Sequence, residues 1–249
     1  MEIFIDFDKT ICPINSWEYI MQGDNSIRLA KYYDIDPRTP YKNLIYNELT
    51  RMGRMFGRKY PPLSWMYDQF NKLTKADIIC NLDGTSLTIE GLKQYGALIQ
   101  IADGFEKFVS SMKQQYNAKI HVVSQSFTPL LEGSKVTDYI DTIYANDVYY
   151  FDNRWYFDRL LDASRKPIII KEHMKQLNGE RHVICIGDGE TDLDMFDYVR
   201  DHGGYAILVY QGTQTPSTHL TSRANITLPL DYTKITYHIE NIMLQEQVD

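Results

Sequence analysis

The sequence predicts an α/β protein: a doubly wound parallel sheet, a helical segment inserted after the first strand, and a small β-hairpin. Three observations carry this. The chain opens with a short apolar run, Ile3-Phe4-Ile5, followed by Asp6-Phe7. Beyond residue 100, strand-length apolar runs alternate with amphipathic stretches of helical period. Between them, residues 13–100 have a helical texture with no comparable run. Strands alternating with helices favour a parallel sheet covered on both faces.

The elements follow in order. Ile3–Ile5 reads as a buried strand. Helix-like stretches lie at 16–33, 41–56, 64–80 and 88–100, broken by Pro37, Pro40, Pro61, Pro62 and Gly84. In 103–116, Phe105, Phe108, Val109 and Met112 recur at the spacing of one helix face. KIHVVS (119–124) reads as a strand, 127–140 as helical and TIYA (142–145) as a strand. Aromatic and polar residues alternate from Asp147 to Arg159 across Asp152-Asn153, the pattern of a hairpin. Helices at 167–177, 191–200 and 232–245 alternate with the strands HVICIG (182–187) and YAILVY (205–210). The expected division is an α/β core of 1–12 and 101–249, and a helical insert of 13–100.

Composition removes several function classes. The 249 residues include 33 acidic and 26 basic side chains, for a net charge of −7. That balance argues against nucleic acid as a partner, since such binding is led by phosphate neutralisation. No apolar run is long enough to span a membrane, and the acidic N-terminus does not read as a signal peptide. Cys12, Cys80 and Cys185 are odd in number and widely spaced, which argues against a disulfide framework or zinc cluster and for a cytoplasmic setting. The six histidines, His121, His173, His182, His202, His219 and His238, show no HxH or HExxH spacing and receive no metal role.

Four clusters stand at the ends of expected strands, where doubly wound sheets gather their sites. They are Asp6-Phe7-Asp8-Lys9-Thr10; Ser124 with Gln125 and Ser126; Lys166; and Gly187-Asp188-Gly189-Glu190-Thr191-Asp192. A calcium loop fails for the last, because its sixth position is Leu193 and its twelfth Val199. No P-loop motif exists. Asp6 and Asp188 are 188 − 6 = 182 positions apart, yet parallel strands bring both acidic pairs to one sheet edge. Such carboxylates repel unless a cation lies among them, and an all-oxygen set selects Mg²⁺. Mg²⁺ commonly bridges protein to phosphate, so Ser124 and Lys166 would supply a hydrogen bond and a positive charge to a phosphoryl group.

The order DxDxT, strand-end Ser, Lys, GDGxTD resembles the haloacid dehalogenase (HAD) superfamily of phosphohydrolases, with its Rossmann-like core. The motifs run from residue 6 to 192. Lys166 precedes Asp188 by 188 − 166 = 22 residues. The insert stands where the phosphoserine-phosphatase-like branch carries a helical cap. TIYANDVYYFDNRWYF is similar to that branch's strand and hairpin before the lysine. Lys166-Pro167 and the hairpin also resemble the methionine-salvage phosphatases acting on 2-hydroxy-3-keto-5-methylthiopentenyl 1-phosphate. Asp8-Lys9-Thr10 is similar to the phosphorylation motif of P-type ATPases, but Ile11-Cys12 departs from it.

The resemblance implies roles. Asp6 would be the nucleophile that forms an aspartyl-phosphate, and Asp8 the general acid and then base. Thr10 would support the loop. Asp6 and Asp188 would bind Mg²⁺ by side chains and Asp8 by its carbonyl. Asp192, with Gly189, would hold metal-bound water or orient the lysine. Ser124 and Lys166 would bind the phosphoryl group. Two departures bear on substrate. Ser124-Gln125-Ser126 replaces Ser-Gly-Gly, and Asn15 stands where phosphoserine phosphatases place a glutamate, nine residues after the nucleophile. Phosphoserine is therefore disfavoured. Asn15, Gln125 and Ser126 become candidate substrate contacts, as do Arg51 and Arg54 of the basic, aromatic insert.

The sequence thus leads to a Mg²⁺-dependent phosphomonoester hydrolase acting on a small phosphorylated metabolite. Alternatives on the same residues are a phosphotransferase or mutase, a phosphoprotein phosphatase, and a non-catalytic phosphate-binding module.

Overall fold

A computed structural model describes residues 1–16, 87–152, 154–159, 161–177, 182–213 and 215–246. The helical stretches expected at 16–33, 41–56 and 64–80 fall, beyond Ser16, outside the described residues, as do Arg51 and Arg54. The chain forms two compact units: Met1–Ser16, Glu90–Asp147 and Leu161–Asp249 in one, Trp17–Ile89 and Val148–Leu160 in the other. The sequence drew its boundaries after residues 12 and 100.

The first unit carries a sheet of parallel strands β1 (Glu2–Ile5), β2 (Lys119–Phe127), β3 (Thr142–Phe151), β5 (Val183–Gly187), β6 (Tyr205–Tyr210) and β7 (Ile226–Pro229). The strand order is β4-β3-β2-β1-β5-β6-β7. The chain winds outward from β1 through β2 and β3, then returns to β5 on its other side, so the direction of winding reverses at the β1–β5 pair. In the second unit, the end of β3 turns at Asp152, whose φ of 49° is left-handed, and is followed by β4 (Arg154–Arg159). This is the hairpin the sequence predicts.

The central strands carry apolar side chains toward both faces because both faces of the sheet are covered. On one face, Phe4, Val123, Cys185, Ala206 and Leu208 join Ile169, Ile170, Phe196 and Val199 in a single core cluster. The last four come from helices α4 (Lys166–Lys175) and α5 (Leu193–Asp201). Ile3 and Ile5, which alternate with Phe4, are fully buried on the opposite face. Helices α2 (Phe105–Tyr116) and α7 (Tyr232–Glu246) pack together, with the Phe105 and Tyr232 rings edge-to-face at 5.0 Å. Each such side chain contributes about 1.5–3 kcal/mol on burial. Helix α1 (Ile89–Leu98) lies against α3 (Thr128–Gly133) so closely that a Cβ on Gly96 would stand 2.0 Å from the carbonyl oxygen of Leu130.

Some expectations shift. β2 continues to Phe127, so Ser124, Gln125 and Ser126 lie within a strand and not behind one. The helix expected over 127–140 is two pieces, α3 and a 3₁₀ turn at Lys135–Asp138. Ser134 divides them: its hydroxyl donates to the Leu131 carbonyl and accepts from the Val136 N–H, which competes with a continuous helix. The Glu190–Asp192 segment is likewise a 3₁₀ turn ahead of α5. The short strand β7 and helix α6 (Thr218–Thr221) are absent from the sequence expectations. Among the described residues, no helix is long and apolar enough to cross a membrane.

Candidate active site

The site is built where β1 and β5 end side by side. The Asp6 N–H donates to the Ile186 carbonyl at 2.9 Å, joining the first residue past β1 to β5. The chain then turns tightly: the Phe7 carbonyl accepts N–H groups from Thr10, Ile11 and Cys12 at 3.3, 2.9 and 2.9 Å. Lys9 takes a left-handed φ of 57° within this turn. The turn returns Ser16 to Asp8, whose Oδ1 accepts the Ser16 N–H at 2.7 Å. Gln211, just past β6, donates from Nε2 to the carbonyls of Lys9 (3.3 Å) and Pro13 (3.0 Å). Tyr232 donates its hydroxyl to the Thr10 carbonyl at 3.2 Å.

Lys166 begins α4 and is fully buried. It follows a 3₁₀ turn capped by Asp162, whose Oδ1 accepts the N–H groups of Ser164 and Arg165. Its ammonium donates to Asp6 Oδ1 and to Asp192 Oδ1, both at 2.6 Å. The other oxygen of Asp192 accepts the backbone N–H groups of Asp188 (3.0 Å) and Gly189 (3.2 Å). Asp192 therefore spends one oxygen on the lysine and the other on holding the Asp188-Gly189 loop.

Electrostatics follow from this crowding. Burial pushes the Asp6 carboxyl well above its usual range; Lys166 opposes the rise, while Asp192 and Asp8 add to it. Burial also raises Asp8, against the Ser16 hydrogen bond. Burial, then the Asp192 charge, raises Asp188 from 3.8 to about 7. Burial alone would lower Lys166, but Asp192 and Asp6 outweigh it and hold the ammonium charged. Among the described residues of the site, acidic groups thus outnumber the buried Lys166 cation. Oxygens of Asp6, Asp188 and Asp192 lie within 4.8 Å of one another. An all-oxygen set with surplus negative charge fits a hard divalent cation such as Mg²⁺.

The remaining sequence candidates are placed as follows. Ser124 is fully buried, and its Oγ accepts the Ser126 N–H at 3.0 Å. The Ser126 hydroxyl pairs with that of Ser16 at 2.8 Å, so a chain of hydrogen bonds runs from Ser124 through Ser126 and Ser16 to Asp8. Gln125 is exposed, and its backbone carbonyl accepts from Asn146 Nδ2. Asn15 is half-buried. Thr10 is buried, and its hydroxyl has no hydrogen-bond partner among the described residues. A Cβ on Gly189 would meet nothing within 4 Å, whereas one on Gly187 would collide with Asp192. The close approach that glycine permits here is therefore to the protein's own carboxylate.

Sequence reasoning missed Ser16, Gln211, Asn146 and Tyr232. Asn146 carried a faint signal, a polar residue inside the apolar strand TIYAND. The others carried none, since each acts through a contact with a distant segment.

No family model matches the chain, and no curated protein matches it. Solved structures do. A substrate-bound phosphoserine phosphatase aligns over 95% of this chain and 97% of its own, at 18% identity and a TM-score of 0.60. A phospho-aspartyl intermediate analogue of phosphoserine phosphatase aligns over 92% and 93%, at 17% identity and a TM-score of 0.60. A HAD family hydrolase from Salmonella enterica serovar Typhi aligns over 91% and 66%, at 14% identity and a TM-score of 0.57. The chain has the HAD fold. The HAD fold accounts for the strand order, in agreement with the fold the sequence predicts.

Proposed function

We infer that this protein is a Mg²⁺-dependent phosphomonoester hydrolase working through Asp6. The observation that carries the reading is Lys166, buried and held at 2.6 Å between Asp6 and Asp192. A solvent-excluded ammonium beside a carboxylate at a sheet edge is suited to a substrate that brings further negative charge. The aspartyl-phosphate analogue of the structurally similar phosphoserine phosphatase supports the same chemistry on this fold.

Asp6 and Asp188 would hold Mg²⁺ by side chains and Asp8 by its carbonyl. The bound ion would neutralise the carboxylates and polarise the phosphoryl group. An Asp6 carboxylate oxygen attacks phosphorus, the P–O bond to the alcohol breaks, and the leaving oxygen takes a proton from Asp8. Burial favours the protonated Asp8 this requires. Asp8, now ionised, takes a proton from water; the water oxygen attacks phosphorus and frees Asp6 and inorganic phosphate. Lys166 offsets charge on Asp6 and on the phosphoryl oxygens, and Asp192 orients it. Ser124 binds a phosphoryl oxygen. Asn15, Gln125 and Ser126 are the candidate determinants of the alcohol portion, with Arg51 and Arg54 of the insert. A small, phosphorylated, hydroxyl- or carbonyl-bearing metabolite fits Asn15 better than phosphoserine does.

The test is turnover of p-nitrophenyl phosphate with and without Mg²⁺. Wild-type protein is expected to be active only with the ion, and Asp6→Asn to lose turnover while keeping its fold. Substantial activity in Asp6→Asn rejects the mechanism. A panel of phosphorylated metabolites and phosphopeptides, ranked by kcat/KM, then identifies the substrate class.

A further inference from the structure

A second cluster of ligand-type side chains lies at the opposite end of β1. Glu2 opens β1 and Asp6 is the first residue past it, a separation of four residues or about 13 Å along an extended chain. Glu2 Oε2 is 2.8 Å from His121 Nε2 and 3.3 Å from His173 Nε2. The three residues come from β1, β2 and α4, and their ligand atoms all lie within 4.8 Å of one another. The side chains of Glu2 and His121 are 1% and 2% exposed, and that of His173 is 15% exposed, so the cluster opens to solvent on the α4 side. Nothing in the phosphatase chemistry calls for these groups.

We propose that Glu2, His121 and His173 form a binding site for a borderline transition-metal ion such as Zn²⁺, separate from the Mg²⁺ site. Three features of the arrangement favour it. First, two imidazole nitrogens converge on one carboxylate oxygen. With metal–ligand distances of about 2.1 Å, tetrahedral ligand atoms stand ~3.4 Å apart. The Glu2–His173 separation already has that value, and the Glu2–His121 pair needs to open by roughly half an ångström. Second, the Tyr144 hydroxyl lies 2.8 Å from His173 Nδ1. With the Nδ1 proton donated to the Tyr144 oxygen, this contact would be the outer hydrogen bond that orients a metal-binding imidazole, leaving Nε2 to ligate. His121 Nδ1 has no hydrogen-bond partner among the described residues, so nothing there prevents that ring from carrying its proton on Nδ1. Third, Phe4 stacks on His121 at 4.8 Å and meets His173 edge-on at 5.4 Å, holding both rings from the apolar side. Two nitrogens and one oxygen on regular elements select Zn²⁺, Co²⁺ or Ni²⁺ over Mg²⁺.

Co²⁺ is the probe. Metal-stripped protein is titrated with Co²⁺ in the presence of excess Mg²⁺, and the visible d–d bands and bound stoichiometry are read, with Zn²⁺ as competitor. One equivalent is expected to give a low-symmetry, nitrogen-containing spectrum that Zn²⁺ abolishes. Asp188→Asn keeps that spectrum, because it alters only the other site. His173→Gln loses it, and Tyr144→Phe weakens binding about 10–100-fold. Absence of stoichiometric Co²⁺ binding overturns the proposal, as does a spectrum lost in Asp188→Asn but kept in His173→Gln. Should His173→Gln fail to fold, Zn²⁺ titration of the wild-type imidazole NMR signals decides: His121 and His173 must shift together at one equivalent, and unmoved signals overturn the site. These readouts do not involve phosphatase activity, so the two sites stand or fall separately.

Discussion

Gly187 and Asp192 are a matched pair. A Cβ at residue 187 would stand 2.4 Å from the Asp192 carboxyl carbon, closer than real side chains approach. Asp192 can reach both Lys166 and the Asp188-Gly189 amides only because residue 187 has no side chain. Gly187→Ala is expected to push the Asp192 carboxylate away from Lys166, lower kcat by an order of magnitude or more, and destabilise the fold by about 1–3 kcal/mol. Steady-state kinetics and urea unfolding on the same preparation measure both effects. A variant with wild-type kcat would remove Asp192 from the working site.

Removing the buried cation has a different signature. Lys166→Met leaves the carboxyl groups of Asp6 and Asp192 uncompensated in a dry setting. Breaking such a buried pair costs on the order of 3–5 kcal/mol. The loss is expected in full at pH 8 and to shrink toward pH 5, where the stranded carboxyls take up protons. Urea midpoints at the two pH values test this; a loss that is equal at both would contradict it.

The metal-free protein is expected to lose stability as pH rises. Asp188 is raised to about 7 in the folded state, from 3.8. A group raised on folding contributes stability that is complete below its unfolded pKa and is lost as pH climbs through its folded pKa. The window therefore runs from about pH 4 to pH 7, and the upward shifts of Asp6 and Asp8 act in the same direction. On the proposed function Mg²⁺ would bind the ionised carboxylates, so its stabilising effect should be larger at pH 8 than at pH 5. Thermal unfolding with EDTA and with Mg²⁺ at both pH values gives the comparison, and an ion effect that falls with pH would count against the carboxylate site.

Gln211 ties the segment just past β6 to the loop that carries Asp8. Its amide bonds the carbonyls of Lys9 and Pro13 at 3.3 and 3.0 Å. Gln211→Ala is expected to cost only about 1 kcal/mol of stability but to reduce kcat more than it changes KM, because the loop loses a fixed position without losing a substrate contact. Gln211→Glu should not rescue it, since one amide donor is replaced by an acceptor facing two carbonyls. An unchanged kcat in Gln211→Ala would show that the turn at Phe7 holds the loop unaided.

The sequence by itself determined the local parts of this protein. Apolar runs such as YAILVY, whose residues 206–209 are buried, are strands because a strand central in a parallel sheet is covered on both faces. Asp6 and Asp192 were legible as acids at the ends of expected strands, and Lys166 through the order of motifs that resembles the HAD superfamily. Tertiary structure alone decided how these groups are used. That Asp192 joins Lys166 to the Asp188-Gly189 amides, that Ser16 links Asp8 to Ser126, and that Gln211 braces the Lys9 loop depends on contacts between segments distant in sequence. The same holds for Glu2, His121 and His173, whose spacing in sequence suggests no common site, yet the parallel register of β1 and β2 and the packing of α4 bring them to one point. Periodicity records which way a residue faces within its own element. Which residue it meets is set by how the elements pack, and that requires the assembled core.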